Sequence, residues 1–213
     1  MKGDIIIVEP HHRSAAKKIV PRLLEVIRSH DTRYTITVAG ESGSGKSETA
    51  KAIAEELESH GFKSAILQQD DYFLHPPRTN DRTRRANICW VGPTEVRLDL
   101  LDQHLAAAIA GESLLTKPLV IYDEDRVVEE ELDLTGIDVV IAEGTYTTLL
   151  DNVNTRVFIA RNRLETMEHR MKRGREDFDP FIEKVLEIEH DIISRHRERA
   201  DVVISRDYDV EFS

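Results

Sequence analysis

The sequence predicts a three-layer α/β fold, a central parallel sheet covered by helices on both faces. Three observations lead there. Short β-rich runs alternate along the chain with segments of helical periodicity, the pattern of parallel strands joined by crossover helices. The run IDVVIA at 137–142 is almost wholly apolar, as a strand buried on both faces must be. Finally, Gly40-Glu-Ser-Gly-Ser-Gly45-Lys46-Ser47 fits G-x-x-x-x-G-K-[ST], with a β-rich run before it and a helical pattern after it.

In chain order, the short apolar run at 5–8 reads as a strand and residues 14–29 as a helix capped by Ser14. Its apolar stripe is Ile19, Val20, Leu23, Leu24 and Ile27, with Pro21 inside the pattern as a kink or a later start. The β-rich run at 35–39 is a strand, 46–60 a helix stopped by Gly61, and 64–69 a second strand. Residues 75–93 are polar and basic, with Pro76-Pro77 and Gly92-Pro93, and read as an irregular excursion. Thr94 is placed to cap a helix striped by Leu98, Leu101, Leu105 and Ile109. Then follow a strand at 118–122, an acidic loop or hairpin at 123–135, and strands at 137–142 and 156–160. A helix at 163–173, an amphipathic helix marked by Phe181, Ile182, Val185, Leu186, Ile192 and Ile193, and a strand at 201–204 complete the pattern. The 213 residues form one domain, in which 1–33 is an N-terminal strand–helix extension and 161–178 a lid.

The chain carries 29 basic and 40 acidic side chains, a formal charge of −11, which argues against a nucleic-acid partner. No apolar run approaches the ~20 residues of a membrane span, and the start of the chain is too short and too acidic in its apolar stretch for a signal peptide. Cys89 is the only cysteine, so no intrachain disulfide forms and a reducing compartment suffices.

The glycine pattern at 40–47 is a P-loop. Its glycines let backbone N–H groups wrap phosphates, and the following helix aims its positive N-terminal end at the same anion. Gly40, Glu41, Ser42, Gly43, Ser44, Gly45, Lys46, Ser47 and Glu48 are therefore the expected nucleotide contacts. Lys46 is placed to reach the outer phosphates and Ser47 to ligate Mg²⁺. No Asn-Lys-x-Asp guanine-reading motif is present, which favours ATP over GTP.

Asp70 and Asp71 end one strand and Glu143 ends another, where open α/β sheets bind ligands. A carboxylate there takes the proton of an attacking hydroxyl, or else only caps a turn. Glu143 stands where an Asp is usual and is the Mg²⁺-side carboxylate. Arg163 and Arg170 lie two helical turns apart, with Arg173 and Arg175 following. Such arginines either meet charge on a transferring phosphoryl or pair with Glu165, Glu168 and Glu176. Arg78, Arg82, Arg84 and Arg85 form a second basic group beside Asp70, suited to an anionic acceptor or to a plain surface loop.

These segments resemble the uridine kinase and phosphoribulokinase family of P-loop kinases. GESGSGKS is similar to that family's phosphate loop, and QDDYF to its Q-D-S-F-Y segment. DVVIAEG, RMKRGRE, NICWVGPTEVRLDLL and ERADVVI resemble its strand ending in Glu-Gly, its lid, its N-x-x-x-x-P segment and its late Ala-Asp strand. The resemblance covers about residues 34–204. It implies that Asp70 is the catalytic base, assisted by Lys46, Arg170 and Arg173, with Ser47 and Glu143 at the metal. It implies acceptor contacts from Asp70, Tyr72, Arg84, Tyr122 and Arg175. Two departures stand out. Where uridine kinases carry Tyr-Asp-Phe followed by His and Arg, this chain reads Tyr122-Asp123-Glu-Asp-Arg126 with no His, and its lid lacks the Arg-Asp pair.

The sequence thus predicts an ATP- and Mg²⁺-dependent kinase of a small acceptor hydroxyl, on a nucleoside or a sugar, working in the cytoplasm, with a homodimer as a possible assembly. The rivals are a kinase of phosphorylated or coenzyme-precursor acceptors, and a P-loop regulatory ATPase.

Overall fold

The computed structural model describes residues 6–162, 165 and 179–213. A six-stranded sheet has the order β2-β5-β1-β6-β7-β8. β1 (Tyr34–Gly40) lies at its centre between β5 (Val139–Gly144) and β6 (Thr155–Ile159). β2 (Ser64–Gln68) flanks β5 and β7 (Val202–Ile204) flanks β6, all parallel. β8 (Val210–Phe212), which the sequence did not predict, closes the sheet antiparallel to β7.

Side chains alternate across the sheet and feed two cores. Tyr34, Ile36, Val38, Val139 and Ile141 face α1 (Pro10–Ser29) and α2 (Lys46–Ser59). Ala65, Leu67, Val140 and Ala142 face α4 (Leu98–Ile109) and Ile193, near the end of α5 (Pro180–Ile193). Arg33, in the turn before β1, gathers carbonyls of three segments: Nε donates to Ile137 at 3.1 Å, Nη1 to Ala108 and Glu112 at 3.0 and 2.7 Å, Nη2 to Leu134 at 3.0 Å.

Several sequence expectations are corrected. The N-terminal strand is absent from described residues 6–9, and α1 starts at Pro10 rather than after Ser14. Proline suits the first helical position because its missing N–H has no helical partner there. Pro21 sits on the exposed side and α1 runs on through it. The excursion after residue 75 contains α3 (Pro77–Ala86), whose only buried residue is Asn80, so it has no apolar stripe to read. Thr94 caps nothing: Pro93–Glu95 is a 3₁₀ turn, the Glu95 carboxylate returns to Gly92 N, and α4 begins at Leu98. β3 (Leu114–Ile121) stands outside the main sheet, in an antiparallel hairpin with β4 (Arg126–Asp133). The expected helix at 163–173 and the lid at 161–178 fall almost wholly outside the described residues. Among those described, no helix is long and apolar enough to cross a membrane.

Candidate functional site

The parallel register brings the carboxyl ends of β1, β5 and β2 level, with Val38 and Gln68 both opposite Glu143. The P-loop leaves β1 at this rim. Gly45 has φ +96°, a left-handed conformation, and a Cβ there would lie 2.2 Å from Tyr208 Oη and 2.9 Å from His12 Nε2. Only glycine meets both demands. Lys46 Nζ donates to the Glu41 carbonyl at 2.9 Å, which folds the lysine over its own loop. Glu41 and Glu48, two of the expected nucleotide contacts, are buried; His190 Nδ1 lies 2.6 Å from Glu41 Oε1.

Glu143 accepts hydrogen bonds from Ser47 Oγ at 3.0 Å and Gln68 Nε2 at 3.2 Å. Burial, and then the charge of Asp70, push its carboxyl up to about 7, against the opposing pull of Lys46 and the two hydrogen bonds. A hydroxyl and a buried carboxylate are hard oxygen donors, the type Mg²⁺ takes.

The segment after β2 is pinned on three sides. Gln69 Oε1 accepts from Tyr146 N at 2.7 Å. Asp71, 2% exposed, accepts from Lys117 Nζ and Val120 N, both at 3.0 Å, which fastens the β3–β4 hairpin to this turn. Tyr72 is fully buried with its hydroxyl 2.8 Å from His104 Nδ1. Asp70 alone of the four turns outward, into a cavity of about 830 Å³. Tyr72, expected at the acceptor, thus lies in the core beneath that cavity and does not line it.

The cavity lies between Ser42 of the P-loop, Asp70, α3, Tyr122 and Asp125 at the hairpin tip, and the first half of α5. Its arginines carry internal partners. Arg84 holds Glu95 through two hydrogen bonds of 2.7 and 2.6 Å and reaches Glu189 at 3.2 Å. Arg85 pairs with Asp81 at 2.8 Å and Asp179 at 2.5 Å. Arg82 approaches Asp125 at 3.6 Å, and Arg78 donates to the Asp123 carbonyl at 3.0 Å. Burial raises the pKa of Glu189 despite Arg84 beside it.

Three features in and behind the wall of this cavity escaped the sequence reading. His75 lines it and stacks on Trp90, ring centroids 5.5 Å apart, so a histidine enters from another segment than the one after Tyr122. Trp90 Nε1 in turn donates to Asn80 Oδ1 at 2.9 Å. Glu95 and Glu189 have no motif, and their only sequence signal is an acidic residue at a buried turn and on an otherwise apolar helix face. Arg163, Arg170, Arg173 and Arg175 lie outside the described residues.

A family model described as Phosphoribulokinase / Uridine kinase family matches residues 35–209. A bifunctional alpha-galactosidase/sucrose kinase of Mediterraneibacter gnavus is 28% identical over 191 residues, 83% of this chain and 20% of that protein. The chain therefore spans about a fifth of that relative. A uridine kinase of Ureaplasma urealyticum is 26% identical over 155 residues, 71% of this chain and 73% of its own. Among solved structures, a possible uridine kinase from Bacillus stearothermophilus superposes with a TM-score of 0.62 at 18% identity, covering 90% of this chain and 97% of that one. The D-glycerate 3-kinase of Cryptococcus neoformans gives 0.63 at 17%, covering 93% and 99%. At those identities the structures speak for the fold.

Proposed function

The chain belongs to the phosphoribulokinase / uridine kinase family of small-molecule kinases, and from that premise we propose that it moves the γ-phosphoryl of ATP onto a hydroxyl of a neutral, polyhydroxylated acceptor. One observation carries the transfer reading: a single cavity is lined both by the P-loop, at Ser42, and by Asp70.

The P-loop backbone from Gly40 to Ser47 cradles the phosphates, and Lys46 leaves the Glu41 carbonyl to meet them. Ser47 and Glu143 would hold Mg²⁺, which would supply positive charge to neutralise the transferring group. Asp70 accepts the proton of the acceptor hydroxyl as that oxygen bonds to the γ-phosphorus and the bridging bond to ADP breaks. The three pinned neighbours of Asp70 hold it to a fixed position, which is what proximity catalysis requires. Arg170 and Arg173 remain the candidates for stabilising transferring charge, and Arg175 for holding the acceptor.

The acceptor reading rests on the paired arginines. A phosphorylated or carboxylated acceptor would have to draw Arg84 or Arg85 away from two carboxylates each, Arg82 from Asp125, or Arg78 from the Asp123 carbonyl. A neutral polyol needs no such charge, and the cavity offers it polar groups at Ser42, Asp70, Tyr122 and Thr145 beside an aromatic surface at Phe73, His75 and Phe181. Sucrose and uridine, the substrates in the names of two relatives, are both neutral polyhydroxyl compounds. The test is ADP release across sugars, nucleosides, sugar phosphates and acidic vitamin precursors. Turnover with neutral compounds is expected. Turnover confined to phosphorylated or carboxylated ones would overturn the acceptor assignment, and ATP binding with no acceptor-dependent turnover would favour a regulatory ATPase.

A further inference from the structure

The helix α1 ends its service to the core in an unexpected place. It precedes the family-matched region, which begins at residue 35, yet its first turn lies against the back of the P-loop. The contact runs through Tyr208. That residue holds φ +62°, a left-handed conformation unusual for a bulky side chain, and such outliers persist where the surroundings impose them. Its ring is buried between His11, 4.2 Å between centroids, and His12, edge-on at 5.1 Å. Its hydroxyl donates to the Ser44 carbonyl at 2.9 Å.

A trans peptide points its C=O and its N–H in opposite directions. Tyr208 draws the Ser44 carbonyl backwards, so the N–H of the same peptide, on Gly45, is aimed forwards, the direction from which a P-loop presents donors to an anion. The close approach of Tyr208 and His12 to Gly45 leaves this peptide no room to turn. Further back, Lys18–Asp209 at 3.2 Å and Arg22 over the Phe212 ring at 4.1 Å tie α1 to the same C-terminal turn and strand.

We propose that Tyr208, seated by His12, is a positioning residue that fixes the Ser44–Gly45 peptide for phosphate binding, and that α1 is the brace behind it. The inference rests on the nucleotide reading of the P-loop. Its test is calorimetric titration of the full-length chain with MgADP, together with the melting temperature of each variant. Tyr208→Phe keeps the ring and removes the hydroxyl with its bond to the Ser44 carbonyl, so it should weaken MgADP binding about three- to tenfold. His12→Ala should weaken it in the same sense. Arg33→Ala, in the turn before β1 and outside this brace, should lower the melting temperature and leave MgADP affinity unchanged. A Tyr208→Phe protein that melts lower yet binds MgADP as tightly as wild type would overturn the positioning role. If Tyr208→Phe does not fold, His12→Ala decides, with unchanged affinity overturning the proposal. Wild-type protein that binds no MgADP would instead sink the nucleotide reading itself, and the positioning role with it.

Discussion

Asp70 and Asp71 are chemically identical neighbours in opposite surroundings. One is exposed at the cavity and the other is 2% exposed and ion-paired with Lys117. Their amide variants should separate cleanly. Asp70→Asn should cut turnover by about 10²-fold or more, the scale of general-base effects, with little change in melting temperature. Asp71→Asn should destabilise by about 1–3 kcal/mol, because a buried ammonium loses one of its two carboxylate partners and keeps Glu130 at 2.9 Å. Activity loss in the second with no change in stability would reverse the assignments. Glu143 gives a pH signature. Its carboxyl titrates near 7 in the fold, against an ordinary value of 4.5. Between those values the folded chain holds a proton that the unfolded chain has lost, so stability falls as pH rises through that window. Glu143→Gln should flatten this fall and raise the melting temperature at pH 8, while lowering Mg²⁺-dependent turnover. In the wild type, turnover should climb with pH through about 7, and added Mg²⁺ should shift the climb downward by competing with the proton. An unshifted profile would remove Glu143 from the metal side. Motif spacing pointed to the P-loop, and the ends of two strand-like runs pointed to Asp70 and Glu143, because a parallel sheet brings those ends to one rim. Neither gave a way to tell that Tyr72 turns inward, since the 3₁₀ turn at Gln69–Tyr72 has neither strand nor α-helical period.

At the scale of elements, α3 and α5 show why the acceptor side was harder to read than the phosphate side. Each apolar stripe in the sequence found its helix: α4 by its leucines, α5 by Val185, Leu186 and Ile193. Helix α3 is held by polar contacts instead. Asn80 Nδ2 and Arg84 both donate to the buried Glu95, whose turn lies between α3 and α4. From α5, Glu189 reaches Arg84 while its neighbour His190 reaches Glu41 of the P-loop. One helix thus touches the walls of both halves of the site through partners more than a hundred residues away. No local pattern encodes such pairs. Arg84→Gln should cost about 3–5 kcal/mol by stranding Glu95, at roughly 2–4 °C of melting temperature per kcal/mol for a chain this long. A variant of wild-type stability would show that Arg84 is held for the acceptor rather than for the fold.

On the scale of the whole molecule, two cores sandwich one sheet, and the alternation within β1 and β5 assigns each side chain to its layer. That much follows from strand periodicity alone. The antiparallel additions follow only in part. The strand expected at 118–122 and the hairpin offered at 123–135 overlap β3 and β4, whereas β8, three residues long, leaves no run to read. The four carbonyls collected by Arg33 bear on the order of assembly. They belong to residues 75 to 104 positions further along the chain. The clasp can close only after α4, the turn before β5 and the start of β1 have met, a loop-closure cost that favours its forming late. Arg33→Ala should therefore raise the unfolding rate and leave the folding rate nearly untouched in a chevron experiment, the mark of a contact made after the barrier. An equal slowing of folding would place Arg33 in the nucleus. With the expected result, a single guanidinium sets how long the native molecule lasts rather than how fast it forms.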